Sequence, residues 1–265
     1  MSAQTVESSS TYHGDAKSDT KNPVIGLIVF PGFEVLDCFG PLQLFNTASL
    51  SVNFTLITIG PTTGPINSQY PKSTGFDGTG KKVDYSRQSS QTIISEYTFA
   101  TAPHVDILLV PGGLGIRGQE DAGDTSVQDF VRARYPSLQY LLSVCTGAIA
   151  LAKSGLLDGR KATSNKAVWN WAVQAGPNVH WQPSARWVED GNIWTSSGVS
   201  AGMDLTYRFV WFYWGPETAV KVANSIEYAP HTNADWDPFS VIHKIPGADY
   251  NRSLVDCIGP AQLPE

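Results

Sequence analysis

Short apolar runs alternate along this chain with segments in which apolar residues recur every three or four positions. Unbroken apolar runs are typical of strands buried on both faces of a parallel sheet, whereas the longer period is typical of helices. The pattern predicts strands at residues 24–30, 54–59, 105–110 and 139–144. It predicts helices at residues 36–45, where Pro41 should set the start of regular helix, and at 124–134, 148–154, 167–175, 202–212 and 216–226.

Two further patterns complete the order of elements. Residues 185–188 and 192–195 predict a hairpin with Asp190 and Gly191 as its turn. Residues 60–92 are rich in Gly, Pro, Ser and Thr and predict a long loop or a small hairpin. Because strands alternate with helices, we predict an α/β fold, a flavodoxin-like sandwich with a mostly parallel central sheet and helices on both faces.

Polar and irregular segments lie at both ends of the chain. Residues 1–22 are rich in Ser and Thr and predict a flexible N-terminal tail. Residues 23–230 carry the alternating pattern and predict the α/β domain. Residues 231–265, interrupted by Pro238 and Pro246, predict an irregular C-terminal extension packed on the same domain.

Charge and cysteine usage narrow the class of protein. The 265 residues carry a net charge of −6 without long runs of one sign, which gives no support to nucleic-acid binding. No apolar stretch approaches a membrane span, and the first residues lack the segments of a secretory signal. Three widely spaced cysteines, Cys38, Cys145 and Cys257, suit a reducing compartment. We expect a soluble cytoplasmic protein.

Cys145 follows the strand predicted at 139–144 and precedes the helix predicted at 148–154. At such a sharp strand-to-helix turn, a nucleophile elbow, the thiol is exposed above the sheet and faces the first helical amides. Their partial positive charge would favour the reactive thiolate. The pattern indicates a nucleophilic cysteine, and a small buried core residue is the equally compatible alternative.

Asp37 and Thr146 are the polar candidates beside this cysteine. Ligands of parallel sheets bind at the carboxyl ends of the strands, where the loops at 31–37, 111–115 and 145–147 should meet. Asp37 is either a helix cap or a desolvated acid with a raised pKa that can donate a proton. Thr146 can hydrogen-bond the sulfur, cap the following helix, or do both.

Two glycines of the loop at 111–115 bear on the mechanism, and so do the positions of the histidines. Gly112 and Gly113 either form an oxyanion-type pocket with the amide of Thr146 or only shape a turn. None of the five histidines follows a strand beside Cys145, which argues against a Cys–His dyad and against a zinc site.

Several motifs, in chain order, resemble the ThiJ/PfpI superfamily, whose fold is class I glutamine amidotransferase-like. They are VFPGFEVLD at 29–37 followed by Gly40 and Pro41, VPGG at 110–113, SVCTG at 143–147, GLLDGRKAT at 155–163, RWVEDGN at 186–192, SGVSAGMD at 197–204 and EYAP at 227–230. The resemblance spans about residues 24–230.

Within the superfamily, aspartate in the first loop and Cys-Thr at the elbow are most similar to the isocyanide hydratases. The resemblance implies a hydro-lyase that needs no cofactor and no metal and adds water to a small isocyanide to give an N-formamide. It implies a homodimer, for which the aromatic segment 207–214 offers surface. It assigns Cys145 as nucleophile, Asp37 as acid/base and Thr146 as supporting hydroxyl. Gly112, Gly113 and Gly147 are our candidates for substrate binding.

One position departs from the resemblance. Asn165 stands where many superfamily members carry histidine, which argues against a protease-like or amidotransferase-like mechanism. Two alternatives stay open. One is a glyoxalase- or deglycase-like enzyme acting on α-oxoaldehydes, although those branches typically carry glutamate in the first loop. The other is a non-enzymatic sensor in which Cys145 is oxidised.

Overall fold

The structure is a computed structural model that describes residues 22–72, 74–76 and 81–252. Its strands are β1 (Val24–Ile28), β2 (Thr55–Gly60), β3 (Gly64–Asn67), β4 (Thr74–Phe76), β5 (Lys82–Asp84), β6 (Thr92–Ser95), β7 (Tyr97–Thr98), β8 (Ile107–Val110), β9 (Tyr140–Ser143), β10 (Lys161–Ala162), β11 (His180–Trp181), β12 (Trp187–Asp190) and β13 (Ile193–Ser196). Its helices are α1 (Val35–Ala48), α2 (Leu114–Ala122), α3 (Ser126–Arg134), α4 (Gly147–Lys153), α5 (Trp169–Ala175), α6 (Val199–Trp214), α7 (Pro216–Ser225) and α8 (Phe239–Ile242). Cys257 and the predicted tail, apart from Asn22, lie outside the described residues.

Seven strands form the central sheet in the order β12-β13-β9-β8-β1-β2-β7. Every neighbouring pair in it is parallel except β12 and β13, which are antiparallel. The central strands β1, β8 and β9 are almost wholly buried, as unbroken apolar runs predict. The predicted α/β fold with a mostly parallel sheet is confirmed.

Helices pack in two groups around this sheet. Helices α1, α6 and α7 contact one another, and α4 contacts α2, α3 and α5. The aromatic residues of α6 mostly face inward: Phe209 is fully buried, and Tyr207 and Tyr213 are nearly so. Aromatic burial of this kind contributes to the core, so α6 offers less free surface than the sequence suggests.

Helix α1 shows that Pro41 does not set the start of regular helix, and that prediction is wrong. The helix begins at Val35 and contains Pro41 in its interior. Proline has no N–H, so the carbonyl of Asp37 loses its usual helical partner. Leu44 and Phe45 are fully buried one turn later. Their packing against α6 and α7 offsets the lost bond.

Helix α2 is an element that the apolar pattern does not predict. It contains Gly115 and Gly118, which lower its helix propensity. Gly115 serves a close approach, because an added Cβ would lie 2.2 Å from the carbonyl oxygen of Pro31. The glycines that lower the predicted helix propensity of α2 therefore also allow this helix to pack against the first loop.

Two loop predictions are refined by the strand pairing. The predicted hairpin is present as β12–β13, but Asp190 pairs with Ile193, so its turn is Gly191-Asn192, one residue later. Gly191 has a φ of 59°, which glycine adopts without strain. Within residues 60–92, the antiparallel pairs β3–β6 and β4–β5 replace an extended loop, in line with the small-hairpin alternative.

Residues 231–252 are irregular apart from α8 and contact the sheet edge. The Arg186 N–H donates to Ala234 O at 2.7 Å, and the Asp237 N–H donates to Ser184 O at 2.7 Å. Within the described ranges, no helix is long and apolar enough to span a bilayer.

Candidate active site

Cys145 occupies the turn between β9 and α4. Its φ is 59°, a left-handed value that is rare and strained for a residue other than glycine. The turn is held by the Cys145 N–H, which donates to Ser197 O at 2.9 Å, and by Ser164 Oγ, which donates to Cys145 O at 3.0 Å. The sharp strand-to-helix turn that the sequence predicts is present, and its strain falls on the residue that carries the thiol.

The thiol itself is enclosed. Cys145 is only 5% exposed, so the expectation of a thiol exposed above the sheet is wrong for the single chain. Burial raises the pKa of Cys145 well above its ordinary value, and the Asp37 carboxylate raises it further. Hydrogen bonds from the Asn165 side chain and the Thr146 amide oppose this rise. The resting group is therefore a thiol, because desolvation outweighs the helical amides that the sequence suggested would favour thiolate.

Asp37 lies in the first turn of α1 and is fully buried. The Gly112 N–H donates to its Oδ2 at 2.8 Å, while its Oδ1 has no hydrogen-bond partner among the described residues. Burial raises the pKa of Asp37 to about 8, and the nearby charge of Glu34 adds to the rise. The structure favours the desolvated acid over the helix cap, because Glu34 occupies the cap position of α1.

Gly112 and Gly113 bring the second loop against the first loop and the elbow. A Cβ on Gly112 would lie 2.5 Å from both N and Oγ1 of Thr146 and 3.0 Å from Asp37 Oδ2. The Gly113 N–H donates to Thr146 Oγ1 at 2.9 Å. Both glycine amides are thus bonded within the protein, so neither is free to form the oxyanion-type pocket considered from the sequence.

Thr146 and Gly147 connect the elbow to the neighbouring strand. The Thr146 side chain makes no capping bond to α4 and instead accepts from Gly113. Gly147 is buried, and a Cβ there would lie 2.3 Å from the carbonyl oxygen of Val110. Its N–H donates to Val144 O at 2.9 Å. Gly147 therefore lets α4 begin against the end of β8 and does not present its amide to a ligand.

Asn165 contacts the sulfur directly. Its Nδ2 donates to Cys145 Sγ at 3.1 Å, and its Oδ1 accepts from the Ala167 N–H at 2.8 Å. The second bond fixes the orientation of the amide, since only the NH₂ group is then left to face the sulfur. A carboxamide donates hydrogen bonds but does not take up a proton at neutral pH. The residue at the expected histidine position therefore holds the sulfur without acting as a base.

A cavity of about 340 Å³ is lined by two residues that hydrogen-bond Cys145, although Cys145 and Asp37 are not among its lining residues. Asn165 and Ser197 line its end near the sulfur. Leu36, which precedes Asp37 in α1, forms a wall together with Val199 and Phe239. An apolar cavity with a few polar groups is typical of a small-molecule site.

Charged side chains also line this cavity. Arg186 Nε lies 2.5 Å from Asp204 Oδ2, and its Nη1 lies 3.6 Å from Asp237 Oδ1. Burial lowers the pKa of Lys166 to about 7, although the Asp237 charge opposes that shift. Lys166 Nζ donates to Thr163 Oγ1 at 2.6 Å and to Ala185 O at 2.9 Å. Lys166, Arg186 and Asp237 line the cavity, whereas Asp204 pairs with Arg186.

The sequence interpretation names none of four of these residues as part of the site: Lys166, Arg186, Ser197 and Asp237. Ser197 directly follows β13, the neighbour of β9, so the rule that ligands gather at the carboxyl ends of adjacent strands would have identified it. Asp237 gives no comparable signal, because it lies in an irregular segment whose path only the tertiary structure defines.

Among the described residues, no histidine is bonded to Cys145 and no group of metal-ligating side chains is present. His243 lines the cavity, but no hydrogen bond joins Cys145 to any histidine that the structure describes. Across residues 22–72, 74–76 and 81–252, no three His, Cys, Asp or Glu side chains are grouped to hold a metal ion.

The arrangement combines a thiol, a protonated carboxyl group and an amide donor, Asn165, which also lines the cavity. A thiol can form a bond to an electrophilic carbon, and the adjacent carboxyl group can pass a proton to the bound atom and accept one in return. The site is therefore suited to adding a nucleophile and a proton across an unsaturated small molecule.

Comparisons with known proteins find similar sequences and a similar fold. The sequence profile of the DJ-1/PfpI family matches residues 24–211. The isonitrile hydratase of Pseudomonas putida is 29% identical over 207 residues, which are 78% of this chain and 78% of that enzyme. The HTH-type transcriptional regulator GbdR of Pseudomonas aeruginosa is 31% identical over 127 residues, 48% of this chain and 34% of the regulator. The crystal structure of a ThiJ/PfpI family protein from Pseudomonas syringae has a TM-score of 0.58 and 25% identity, covering 79% of this chain and 76% of that one.

Proposed function

Because this chain belongs to the DJ-1/PfpI family, we propose that it is a cofactor-independent hydro-lyase that converts isocyanides to N-formamides. The observation that carries the proposal is the buried Cys145 thiol beside Asp37, whose pKa of about 8 keeps it protonated near neutral pH. Similarity to an isonitrile hydratase over 78% of the chain supports the same reaction.

The first step adds the thiol across the terminal carbon of the isocyanide, R–N≡C. Sulfur of Cys145 forms a bond to this carbon, Asp37 donates its proton to the same carbon, and the thiol proton passes to Asp37. The product is a thioimidate, R–N=CH–S–Cys145. Since the thiol and the carboxyl group both start neutral, the step needs no separated charge in the buried site.

The second step hydrolyses the thioimidate. Asp37 donates its proton to the nitrogen and accepts one from water as the water oxygen attacks the carbon, which gives R–NH–CH(OH)–S–Cys145. The C–S bond then breaks, the hydroxyl proton returns to sulfur through Asp37, and R–NH–CHO leaves. One water is consumed, and Cys145 and Asp37 regain their starting forms.

The remaining residues hold this pair in position. Asn165 donates to the sulfur and cannot compete with Asp37 as a base. Thr146 supports the site by donating its amide to the sulfur and by fixing Gly113. We assign Gly112 and Gly147 to close packing around these groups, because their added Cβ atoms would meet Thr146 and Val110.

Two alternatives have weaker support. An α-oxoaldehyde enzyme would use the same cysteine, but the first-loop acid here is aspartate. A redox sensor needs a cysteine that oxidants reach and that ionises readily, whereas Cys145 is 5% exposed and its pKa is raised by burial. The regulator GbdR is similar to this chain over only 34% of its own length, so this similarity gives little support to a regulatory function.

The proposal extends to assembly and location. We expect a homodimer, and Leu36 and Phe39 of α1 supply exposed apolar surface for one, at 42% and 37% exposure. The described cysteines, Cys38 and Cys145, are free thiols, which suits the reducing cytoplasm.

Formamide release from a panel of alkyl and aryl isocyanides tests the reaction, with methylglyoxal consumption measured in parallel. We expect Cys145→Ala to lose at least about 100-fold in kcat/KM, because the covalent step is removed. Cys38→Ala is the matched control, since Cys38 is also a buried free thiol, and it should keep near-normal turnover.

Three results would contradict the proposal. Formamide release by Cys145→Ala would exclude a cysteine mechanism. Consumption of methylglyoxal without isocyanide turnover would favour the α-oxoaldehyde alternative. Absence of both activities, together with peroxide-sensitive mass changes at Cys145, would favour the sensor.

A further inference from the structure

We infer that the side chain of Asn165 controls access to Cys145, because it separates the sulfur from the cavity of about 340 Å³ and has to move before a small uncharged electrophile can pass from the cavity to the thiol. The inference adds a specificity-determining residue to the proposed function and rests on that function only where isocyanide turnover is measured. Its first test, the alkylation of Cys145, needs no turnover.

The sulfur is closed off from the cavity in this structure. Cys145 is only 5% exposed, and neither Cys145 nor Asp37 lines the cavity. The lining includes the exposed residues Leu36, Ser200 and His243, so the cavity is open to solvent on that side. An electrophile that enters the cavity therefore stops short of the thiol unless a side chain between them moves.

Asn165 is the side chain that stands between the two. Within the described part of the chain, three groups face the sulfur: Asn165 Nδ2, the Thr146 amide and the Asp37 carboxyl group. Thr146 and Asp37 are buried and do not line the cavity, whereas Asn165 lines it and is only half-buried. The approach from the cavity to the sulfur therefore passes Asn165.

The amide nitrogen lies between the sulfur and the cavity wall. Nδ2 of Asn165 is 3.1 Å from Cys145 Sγ, and a Cβ added to Gly198, which lines the cavity, would lie 3.6 Å from the same Nδ2. Among the described residues, Nδ2 is the one atom of another segment within 4 Å of that added Cβ. The glycine therefore leaves room into which the amide of Asn165 can move.

The bonds that hold this amide are few and partly replaceable. Its Oδ1 accepts from the Ala167 N–H at 2.8 Å, and Ala167 is exposed, so water can take over that N–H when the side chain of Asn165 rotates. Its other bond is to sulfur, which is a weak acceptor. The closed position is therefore favoured without being locked. Since a larger electrophile needs a larger displacement, Asn165 should select substrates by size.

Alkylation of Cys145 by N-ethylmaleimide, followed by mass spectrometry on the full chain, tests the inference with two variants. Asn165→Ala and Asn165→Leu both lose the hydrogen bond to sulfur, but leucine is similar in size to asparagine and keeps the passage filled. We expect Asn165→Ala to react at least about tenfold faster than Asn165→Leu. Loss of the hydrogen bond alone would raise the pKa of the thiol further and slow both variants, because thiolate is the reactive form.

Turnover tests selection by size with the same pair of variants. The ratio of kcat/KM for naphthyl isocyanide to kcat/KM for methyl isocyanide should be about fivefold or more higher in Asn165→Ala than in Asn165→Leu. A loss of chemistry that is common to both substrates cancels in this ratio, so a merely structural role of Asn165 would not change it.

The outcomes separate this inference from the proposed function. Equal alkylation rates in the two variants, or an equal substrate ratio, overturn the inference and leave the function standing. Faster alkylation of Asn165→Ala without isocyanide turnover by the wild type supports the inference and overturns the function. Cys38, also a buried free thiol, should stay unlabelled throughout and thereby reports that the fold is intact.

A comparison on the wild type decides the matter if Cys38 of a variant is labelled as well. The rate of Cys145 with N-pyrenylmaleimide is divided by its rate with N-ethylmaleimide, and the same ratio is measured for glutathione, an unenclosed thiol. We expect the ratio for Cys145 to be at least about tenfold lower than that for glutathione, because the larger reagent needs a larger displacement of Asn165. Equal ratios would overturn the inference.

Discussion

Burial controls the protonation of the two groups that meet at the elbow. Cys145 and Asp37 are both removed from water, and each favours its neutral form because burial raises the pKa of both groups. Asn165 and the Gly112 amide supply hydrogen bonds to the pair, but these do not outweigh desolvation. The site is therefore arranged for proton transfer between neutral groups rather than for a preformed ion pair.

Asp37 should impose a pH limit on the activity. Its pKa is raised to about 8, so the acid form prevails below that pH and is lost as pH rises through it. We expect kcat/KM for an isocyanide to be level below about pH 7 and to fall above about pH 8, approaching tenfold per unit. A pH–rate profile of the free enzyme measures this limit.

Asp37→Asn provides the control for that profile. The variant cannot donate the proton, so activity should fall about 100-fold or more and the inflection near pH 8 should disappear. An unchanged inflection in the variant would show that another group sets the limit.

At the scale of elements, close backbone approach brings the three loops together. The first loop bonds the second through the Glu34 N–H and Gly112 O at 2.8 Å, and through the Gly115 N–H and Gly32 O at 2.8 Å. Gly147 places the start of α4 against the end of β8. The elbow therefore depends on glycines that leave room for neighbouring carbonyl groups, more than on capping by polar side chains.

Gly147→Ala should destabilise the fold by about 2–3 kcal/mol, because the added Cβ would lie 2.3 Å from the Val110 carbonyl oxygen, which is fixed in the sheet. Gly118→Ala is the matched control: its Cβ would meet Tyr70 at an ordinary 3.4 Å within helix α2. That change should be neutral or stabilise by up to about 1 kcal/mol. Urea unfolding measures both, and equal effects would contradict the packing argument.

At the scale of the whole molecule, a buried ionic network ties the C-terminal segment to the sheet and to α6. Arg186 precedes β12, Asp204 belongs to α6, and Asp237 lies in residues 231–252. Tyr228 OH and the His231 N–H also donate to Asp204 Oδ1. The segment that completes the cavity is thus held by the same network that lines it.

Arg186→Met should destabilise the protein by about 3–5 kcal/mol, because two buried carboxylates would lose their common partner. Lys72→Met is the matched control, since it removes an ion pair with Asp121 in which both side chains are over two-fifths exposed, and should change stability by less than about 1 kcal/mol. Urea unfolding compares the two variants. A loss below about 1 kcal/mol for Arg186→Met would show that the network does not hold the segment.

The sequence by itself determined the class of fold and the order of its main elements. Unbroken apolar runs identify β1, β8 and β9, because strands covered on both faces need no polar side. It also predicted a sharp turn at Cys145 and identified Asp37 as a candidate site residue, since ligands bind at the carboxyl ends of parallel strands. It did not predict α2 or the internal position of Pro41, because local propensity is overridden by packing.

Only the tertiary structure decided the environment of the candidate site. The sequence suggested an exposed thiolate, whereas the fold encloses the thiol and raises its pKa, because burial depends on residues distant in the chain. The amides of Gly112 and Gly113 are used within the protein, and Asn165 reaches the sulfur from a separate loop. Asp237 joins the cavity from the C-terminal segment, since long-range packing, which no local pattern encodes, sets the path of an irregular segment.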